Sequence, residues 1–497
     1  MKKLFFMFFG CIAFFTVSSA QSGADGSNTT QVTVKVGNTP GYHIPTDFTG
    51  ISFEVDAIIA GHRGVDGYFF RPSNIQLVNL FKNSGLRSLR IGGSTVDRFH
   101  DKAHNRQSID SLFAFAKTLG IKIIYSLPLL NAAAEPSAAT AKYIAKNYGD
   151  LLECFSIGNE PNCLPYKEAK QGAIFTYEEY LPQWRKIAAA VIASVPDAKF
   201  TGPDAGGWNW TEEFARDEVA TGRILFITHH QYPGGKPLIN SGKNPMPADT
   251  AIRNMLSKDL LTGQYSFIWS KADAKVHPYG LRCRLTEAND YLGGIAGASN
   301  ALSSALWALD YMQWQAERGL AGINFHNNQW LKTCTVYMDE EGNYLANPKA
   351  LAIRAFDMLS GGYVMPVFVS DEANINLTAY AVKHPDYLYV TVINKEYGAS
   401  ARNVRIIVSA PDITFTGGEA KSLFLQAPEV GSTSGVTLGG DSITNFREWK
   451  GKWVDCQMID NKDVIVIVPK SSAVIIRIPT SIFHADGVQS ARKKVLI

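Results

Sequence analysis

The chain has 497 residues, 46% of them apolar and 19% charged, and a formal net charge of +3. That length exceeds one ordinary core, and the composition excludes a disordered chain. The near-neutral balance, with no basic run except the terminal Arg492-Lys493-Lys494, leaves no footprint for nucleic acid.

In chain order, Lys2 and Lys3, an apolar run from Leu4 to Val17 and then Ser18-Ser19-Ala20 read as a secretory signal peptide over residues 1–20. Cleavage is expected after Ala20, giving a secreted or periplasmic product. Phe8-Phe9-Gly10 is a poor lead-in for lipidation at Cys11, so a lipoprotein anchor is disfavoured. No later apolar run is long enough to span a bilayer. Residues 21–45 hold a polar linker, Gln21 to Thr30, and a short alternating strand, Gln31–Val36.

Strand-like runs follow at Phe48–Phe53, Leu86–Ile91, Ile121–Leu127, Leu152–Ile157, Ala198–Gly202, Ile224–Thr228, Leu281–Leu285 and Ala321–Phe325. Helical patterns fall after them at Asn74–Asn83, Ser108–Leu119, Ala138–Asn147, Tyr177–Ser194, Thr211–Thr221, Thr250–Leu261, Ser299–Arg318 and Pro348–Leu359. Strands alternating with helices predict a parallel sheet, and eight repeats predict a closed (β/α)8 TIM barrel over residues 46–360. In Ser299–Arg318, Leu302, Leu306, Leu309, Tyr311 and Met312 recur at helical spacing.

From Gly361 the texture changes. Tyr363–Val369, Leu377–Val382, Tyr387–Ile393, Val404–Ser409, Ser422–Phe424, Val464–Val468 and Ala473–Ile478 are short strands between turn residues. They predict a C-terminal β-sandwich domain over residues 361–497, which the early strand Gln31–Val36 would complete. Of the six cysteines, Cys154 and Cys283 lie in apolar strands, whereas Cys163 and Cys334 lie in loops and are the candidate pair. With no CxxC and no HExxH, neither a metal nor another cofactor is expected.

In a (β/α)8 barrel the chemistry sits at the C-terminal ends of strands. The fourth strand runs into Gly158-Asn159-Glu160-Pro161-Asn162 and the seventh into Thr286-Glu287-Ala288-Asn289-Asp290. Two carboxyl groups facing one barrel mouth are what glycoside hydrolysis needs. One donates a proton to the leaving oxygen; the other attacks the anomeric carbon or activates water. The sixth strand ends in His229-His230-Gln231-Tyr232-Pro233, and a tyrosine there can reach the strand-seven carboxylate and keep it ionised. No GxSxG is present, so a serine nucleophile elbow is excluded.

These residues resemble a clan of retaining (β/α)8 glycosidases, and within it glycoside hydrolase family 79, the β-glucuronidase and heparanase-like enzymes. The resemblance is carried by Leu89-Arg90-Ile91-Gly92-Gly93-Ser94-Thr95-Val96-Asp97, Gly158 to Asn162, Glu287 through Tyr291-Leu292-Gly293-Gly294, the helix from Ser299, and Gly322 to His326. It implies Glu160 as acid/base, with a raised pKa, and Glu287 as nucleophile. It also implies sugar contacts at Asn159, Tyr232, Glu54, Ser94, Tyr291 and His326. A uronic-acid carboxylate would be held by backbone amides at Gly293 and Gly294 and by Tyr337. The loop from His326 to Tyr337 is longer than in the heparanase type.

The implied partner is a carbohydrate bearing a uronic acid. Without a long excised linker or a basic run suited to heparan sulfate, an exo-acting β-glucuronidase, including one for the 4-O-methyl form, is favoured over an endo-acting enzyme. A neutral-sugar glycosidase of the same clan and a non-catalytic carbohydrate-binding protein are the alternatives. Loss of one glutamate would mark the last, and both are present.

Overall fold

A computed structural model describes residues 29–130, 134–163, 175–236, 238–239, 244–328, 330–370, 372–416, 418–460 and 462–481. The expected signal peptide, Cys11, most of the linker and the basic C-terminal run lie outside these residues.

Eight strands close into a barrel. In chain order they are Thr49–Glu54, Ser88–Gly92, Lys122–Leu127, Leu152–Ile157, Phe200–Gly206, Ile224–Gln231, Cys283–Ala288 and Ile323–Asn327, here counted as barrel strands one to eight. Every neighbouring pair is parallel, and strand eight closes on strand one. Strands two and seven are buried along their whole length, because one side faces the barrel interior and the other the helix layer. Their helix-facing residues are apolar, whereas their interior-facing positions carry Arg90 and Arg284. The side-chain period of two sends Leu89 and Ile91 outward and Arg90 inward.

The barrel interior is polar in two layers. Near the bottom, the fully buried Arg284 donates to Asn324 (2.9 Å) and to Asp47 (3.2 Å). Near the top, Arg90 does the same for a different set of acceptors, described below. Helices pack around the outside. Tyr177–Ser194 begins at a reciprocal cap, in which Thr176 accepts from the Glu179 amide while the Glu179 carboxylate accepts from the Thr176 amide.

Some elements differ from their sequence patterns. The pattern over Thr250–Leu261 gives a helix only to Met255, followed by a wider turn at Leu260–Tyr265 and short helices Ser266–Lys271 and Asp273–Val276. Leu302–Glu317 is buried on all sides through Ala316 rather than along one stripe. The reason is that the second domain covers its outer face: Gln313 donates to Thr391 (2.9 Å), and Asp310 receives Tyr380 (2.9 Å) and Lys395 (3.2 Å).

That second domain is two packed sheets. One has the order Val367–Ser370, Thr29–Val36, Asn403–Ser409, Asp463–Val468, Gln457–Ile459. The other runs Tyr363–Met365, Leu377–Lys383, Tyr387–Asn394, Ser472–Pro479, Lys421–Gln426, Thr437–Leu438. Thr29–Val36 lies parallel to Asn403–Ser409 and antiparallel to Val367–Ser370, so the first described strand is sewn into the last domain. Its inward residues Val32, Val34 and Val36 join Ile406, Val466, Val390 and Ile476 in a shared core. The single strand expected at Tyr363–Val369 is two strands, one in each sheet, parted at Pro366. Proline supplies no N–H to continue a ladder, so the chain crosses between sheets there.

Among the described residues, no helix is long and apolar enough to cross a membrane. Cys163 and Cys334, the candidate disulfide pair, are both free thiols. Cys163 packs beneath the fourth strand's loop, while the Cys334 sulfur accepts the Asn328 amide (3.4 Å) on the strand-eight side.

Candidate active site

Glu160 and Glu287 meet at the C-terminal mouth of the barrel, with His230 between them. Reactive atoms of these three side chains all lie within 4.8 Å of one another. Backbone irregularities aim them. Glu160 adopts a left-handed conformation (φ 45°), and its amide donates to the carbonyl of Asp204 (2.7 Å), itself left-handed at φ 52°. The register of strand seven against strand six shifts between Leu285 and Glu287, so Thr286 and Glu287 both turn toward the mouth. An irregularity of this kind re-aims a side chain that strict alternation would send into the helix layer.

Glu287 is the better-held carboxylate. Tyr232 donates to Oε1 (2.6 Å) and Arg90 to Oε2 (3.0 Å). His230 and His326 each place Nδ1 3.7 Å from Oε2. Burial would raise its pKa, but the positive charge of His326, His230 and Arg90, with the Tyr232 hydrogen bond, brings it down to about 2. Glu287 is thus an anion at neutral pH. The Glu160 side chain is 26% exposed against 10% for Glu287, and its Oε1 lies 2.8 Å from His230 Nδ1. Burial works against a charged His230. The Glu287 charge, with the Asp204 carboxylate 3.7 Å from Nε2 and the hydrogen bond to Glu160, outweighs it and raises the imidazole pKa to about 9.

Beneath this pair lies a carboxylate that the sequence patterns did not single out. Asp204 is fully buried, accepts from Thr286 (2.6 Å) and Arg90 (3.3 Å), and stands 3.7 Å from His230 Nε2. Burial would raise its pKa; Arg90 and His230 hold it well below the usual carboxylate range. Arg90 also donates to the Ser52 hydroxyl (3.1 Å) and to the side-chain Oδ1 of Asn159 (2.7 Å). A guanidinium inside an apolar strand was the available signal for Arg90. Asp204 lay past the expected end of strand five, which extends to Gly206.

The remaining expected residues divide. Glu54 accepts from the Thr95 amide and hydroxyl (2.8 and 2.6 Å) and from Ser94 (3.3 Å), and stands 3.9 Å from His326 Nε2. This set sits at the end of strand one, beside Glu287. A pocket of about 240 Å³ opens on the strand-seven and strand-eight side, lined by Tyr232, Tyr291, Gly293, His326, Asn328 and Thr333 among others. Gly293 and Gly294 are both left-handed, at φ 81° and 70°. The Gly294 amide closes a turn onto the Tyr291 carbonyl (3.1 Å) and so is committed, whereas the Gly293 amide donates to no described residue. Tyr337 lies on the hairpin strand Val336–Met338 and is not among the pocket's lining residues; Asn328, Leu331 and Thr333 of the long loop form that wall instead. Among the described residues, no lysine or arginine lines the pocket.

A second cluster with metal-ligand chemistry, His229, Asp273 and Cys283, is buried outside the mouth, because His229 alternates away from His230. In the mouth cluster, the charge of His230 against two carboxylates accounts for the grouping without an ion.

Neither a protein-family model nor a curated protein sequence matches the chain. Solved structures do match its fold. A 4-O-α-L-rhamnosyl-β-D-glucuronidase from Fusarium oxysporum 12S is similar at 19% identity and TM-score 0.68, over 89% of this chain and 99% of that one. A GH51 arabinofuranosidase from Xanthomonas axonopodis pv. citri is similar at 17% identity and TM-score 0.65, over 90% and 99%. A family 44 xyloglucanase from Paenibacillus polymyxa is similar at 12% identity and TM-score 0.62, over 91% and 100%. The neighbours are glycoside hydrolases, and the likeness shows the shared fold, a TIM barrel with a sandwich domain.

Proposed function

We propose that the protein is a retaining glycoside hydrolase of the family 79 type, an exo-acting β-glucuronidase that removes terminal β-linked glucuronic acid, including its 4-O-methyl form. The observation that carries the reading is the mouth cluster, an ionised, clamped Glu287 with the more exposed Glu160 across a shared His230. Oxygens of the two carboxylates lie within 4.8 Å. That closeness supports the retaining geometry of about 5–5.5 Å over the wider inverting one.

In the first step Glu287 attacks the anomeric carbon as the glycosidic bond breaks, and Glu160 gives its proton to the leaving oxygen. The proton that His230 carries up to about pH 9 sits 2.8 Å from Glu160 Oε1, and transfer along that contact supplies the acid form. In the second step Glu160 takes a proton from water. The water oxygen then replaces Glu287 on the anomeric carbon, and the carboxylate is restored.

The pocket beside Glu287 supports the uronate reading through the Gly293 amide, Asn328 and His326, donors that bind an anion without a fixed cation. The absence of lysine and arginine from its lining favours the second reading, a neutral-sugar glycosidase. The signal-peptide pattern of residues 1–20 supports a secreted or periplasmic site of action.

An aryl β-D-glucuronide tests the assignment directly. We expect turnover, its loss in Glu287→Ala, and rescue of that variant by azide with an α-glycosyl azide as product. No glucuronide turnover alongside cleavage of a neutral aryl glycoside would overturn the uronate assignment. Activity retained in Glu287→Ala would overturn the nucleophile.

A further inference from the structure

Two large exposed aromatics, Trp208 and Phe267, touch each other at the turn after strand five. Trp208 is 39% exposed and Phe267 47% exposed. Their rings meet edge to face at 5.2 Å and 87°, with Lys271 Nζ 5.6 Å from the Phe267 ring. Trp208 sits in the turn after strand five. The turn is tied to the mouth at one end: Asn162 and Gly206 exchange two hydrogen bonds of 2.9 Å, and the Gly207 amide donates to the His230 carbonyl (3.1 Å). At the other end Trp210 is stacked on Tyr180 at 5.3 Å, and Thr211 donates to the Trp208 carbonyl (3.1 Å). A short turn anchored on both sides therefore holds the Trp208 indole outward.

Its place relative to the reaction is defined. A β-carbon at Gly206 would lie 3.4 Å from the Glu160 carboxyl carbon. Trp208 is two residues further, at most about 7 Å along the chain, roughly the reach of one sugar ring. The pocket for the cleaved sugar lies on the opposite side, over strands seven and eight. The proton donor faces the departing group, so that group leaves past Glu160 toward strand five.

We propose that Trp208, braced by Phe267, is the platform on which the first sugar of the leaving group stacks. The apolar face of a pyranose covers an indole; Phe267 holds the indole plane and extends the apolar surface. This rests on the glycosidase reading above.

The test uses the full chain with β-D-glucuronosyl fluoride, whose leaving group has no ring, and a panel of neutral methyl glycosides (xyloside, glucoside and galactoside) as acceptors. Transfer to an acceptor requires it to occupy the leaving-group side, whereas hydrolysis needs only water. We expect Trp208→Ala to lower the transfer-to-hydrolysis ratio about ten-fold, Phe267→Ala to lower it less, and Trp208→Phe to restore most of it. An unchanged ratio in Trp208→Ala overturns the platform. If the wild type is inert on the glucuronosyl fluoride, the uronate assignment fails instead. The same ratio is then read with the xylosyl or arabinofuranosyl fluoride that the enzyme accepts.

Discussion

Replacing Asp204 by Asn removes one buried negative charge and keeps the shape. The carboxylate stands 3.7 Å from His230 Nε2, and unit charges at that distance interact by about 4 kcal/mol at an effective dielectric of about 20. One pKa unit corresponds to about 1.4 kcal/mol, so up to about three units of support for the imidazolium are at stake. Glu160 and Glu287 remain beside His230, so we expect a fall of one to two units from about 9. The assay is the pH profile of kcat/KM on an aryl glycoside. The shared proton supplies Glu160, so the basic limb in Asp204→Asn should move toward neutral pH. The rate at pH 6 should fall much less than the rate at pH 8.5. A folded variant with its basic limb in place would refute the assignment of that limb to the Glu160–His230 pair.

Three further outcomes follow from the same geometry. Tyr232→Phe removes a 2.6 Å hydrogen bond to an anion, worth about 1.5–3 kcal/mol; kcat/KM should drop roughly 10- to 100-fold and the acidic limb should rise from near 2. A drop below two-fold would place Tyr232 outside the catalytic step. Gly206→Ala puts a β-carbon 2.5 Å from Cys163 Sγ, so activity should fall at least ten-fold and recover in the double variant with Cys163→Ala; no recovery would remove the steric explanation. The folded-state pKa of His230 lies above its unfolded value of about 6.5. Its contribution to stability is therefore whole below pH 6.5 and lost as pH rises through 9. Thermal melts across that interval should decline more steeply in the wild type than in His230→Gln, and parallel slopes would contradict the charge assigned to His230.

Much of the molecule was legible in the residues themselves. The eight barrel strands and the two glutamates at strand ends four and seven follow from local periodicity, because the helix-facing side of each strand is apolar and a glutamate at its end is conspicuous. Tyr232 was legible for the same reason, as the polar end of an apolar run. What periodicity could not supply was which polar groups meet. Arg90, Asp204, Thr286 and His230 lie on four different strands, and only barrel closure brings the other three within 4 Å of the Asp204 carboxylate. The low pKa of Glu287 and the high pKa of His230 are properties of that meeting rather than of either residue.

The pocket beside Glu287 shows the same division. Gly293-Gly294 marked a turn in the sequence, but the fold commits the Gly294 amide to Tyr291 and leaves the Gly293 amide without an acceptor among the described residues. Tyr337 is not among the residues lining that pocket, where Asn328, Leu331 and Thr333 of the strand-eight loop form the wall. Chain order determined the elements and placed the two glutamates at strand ends; long-range packing decided charge state, donor availability and reach. Those depend on through-space distances of 3–4 Å that sequence spacing does not encode.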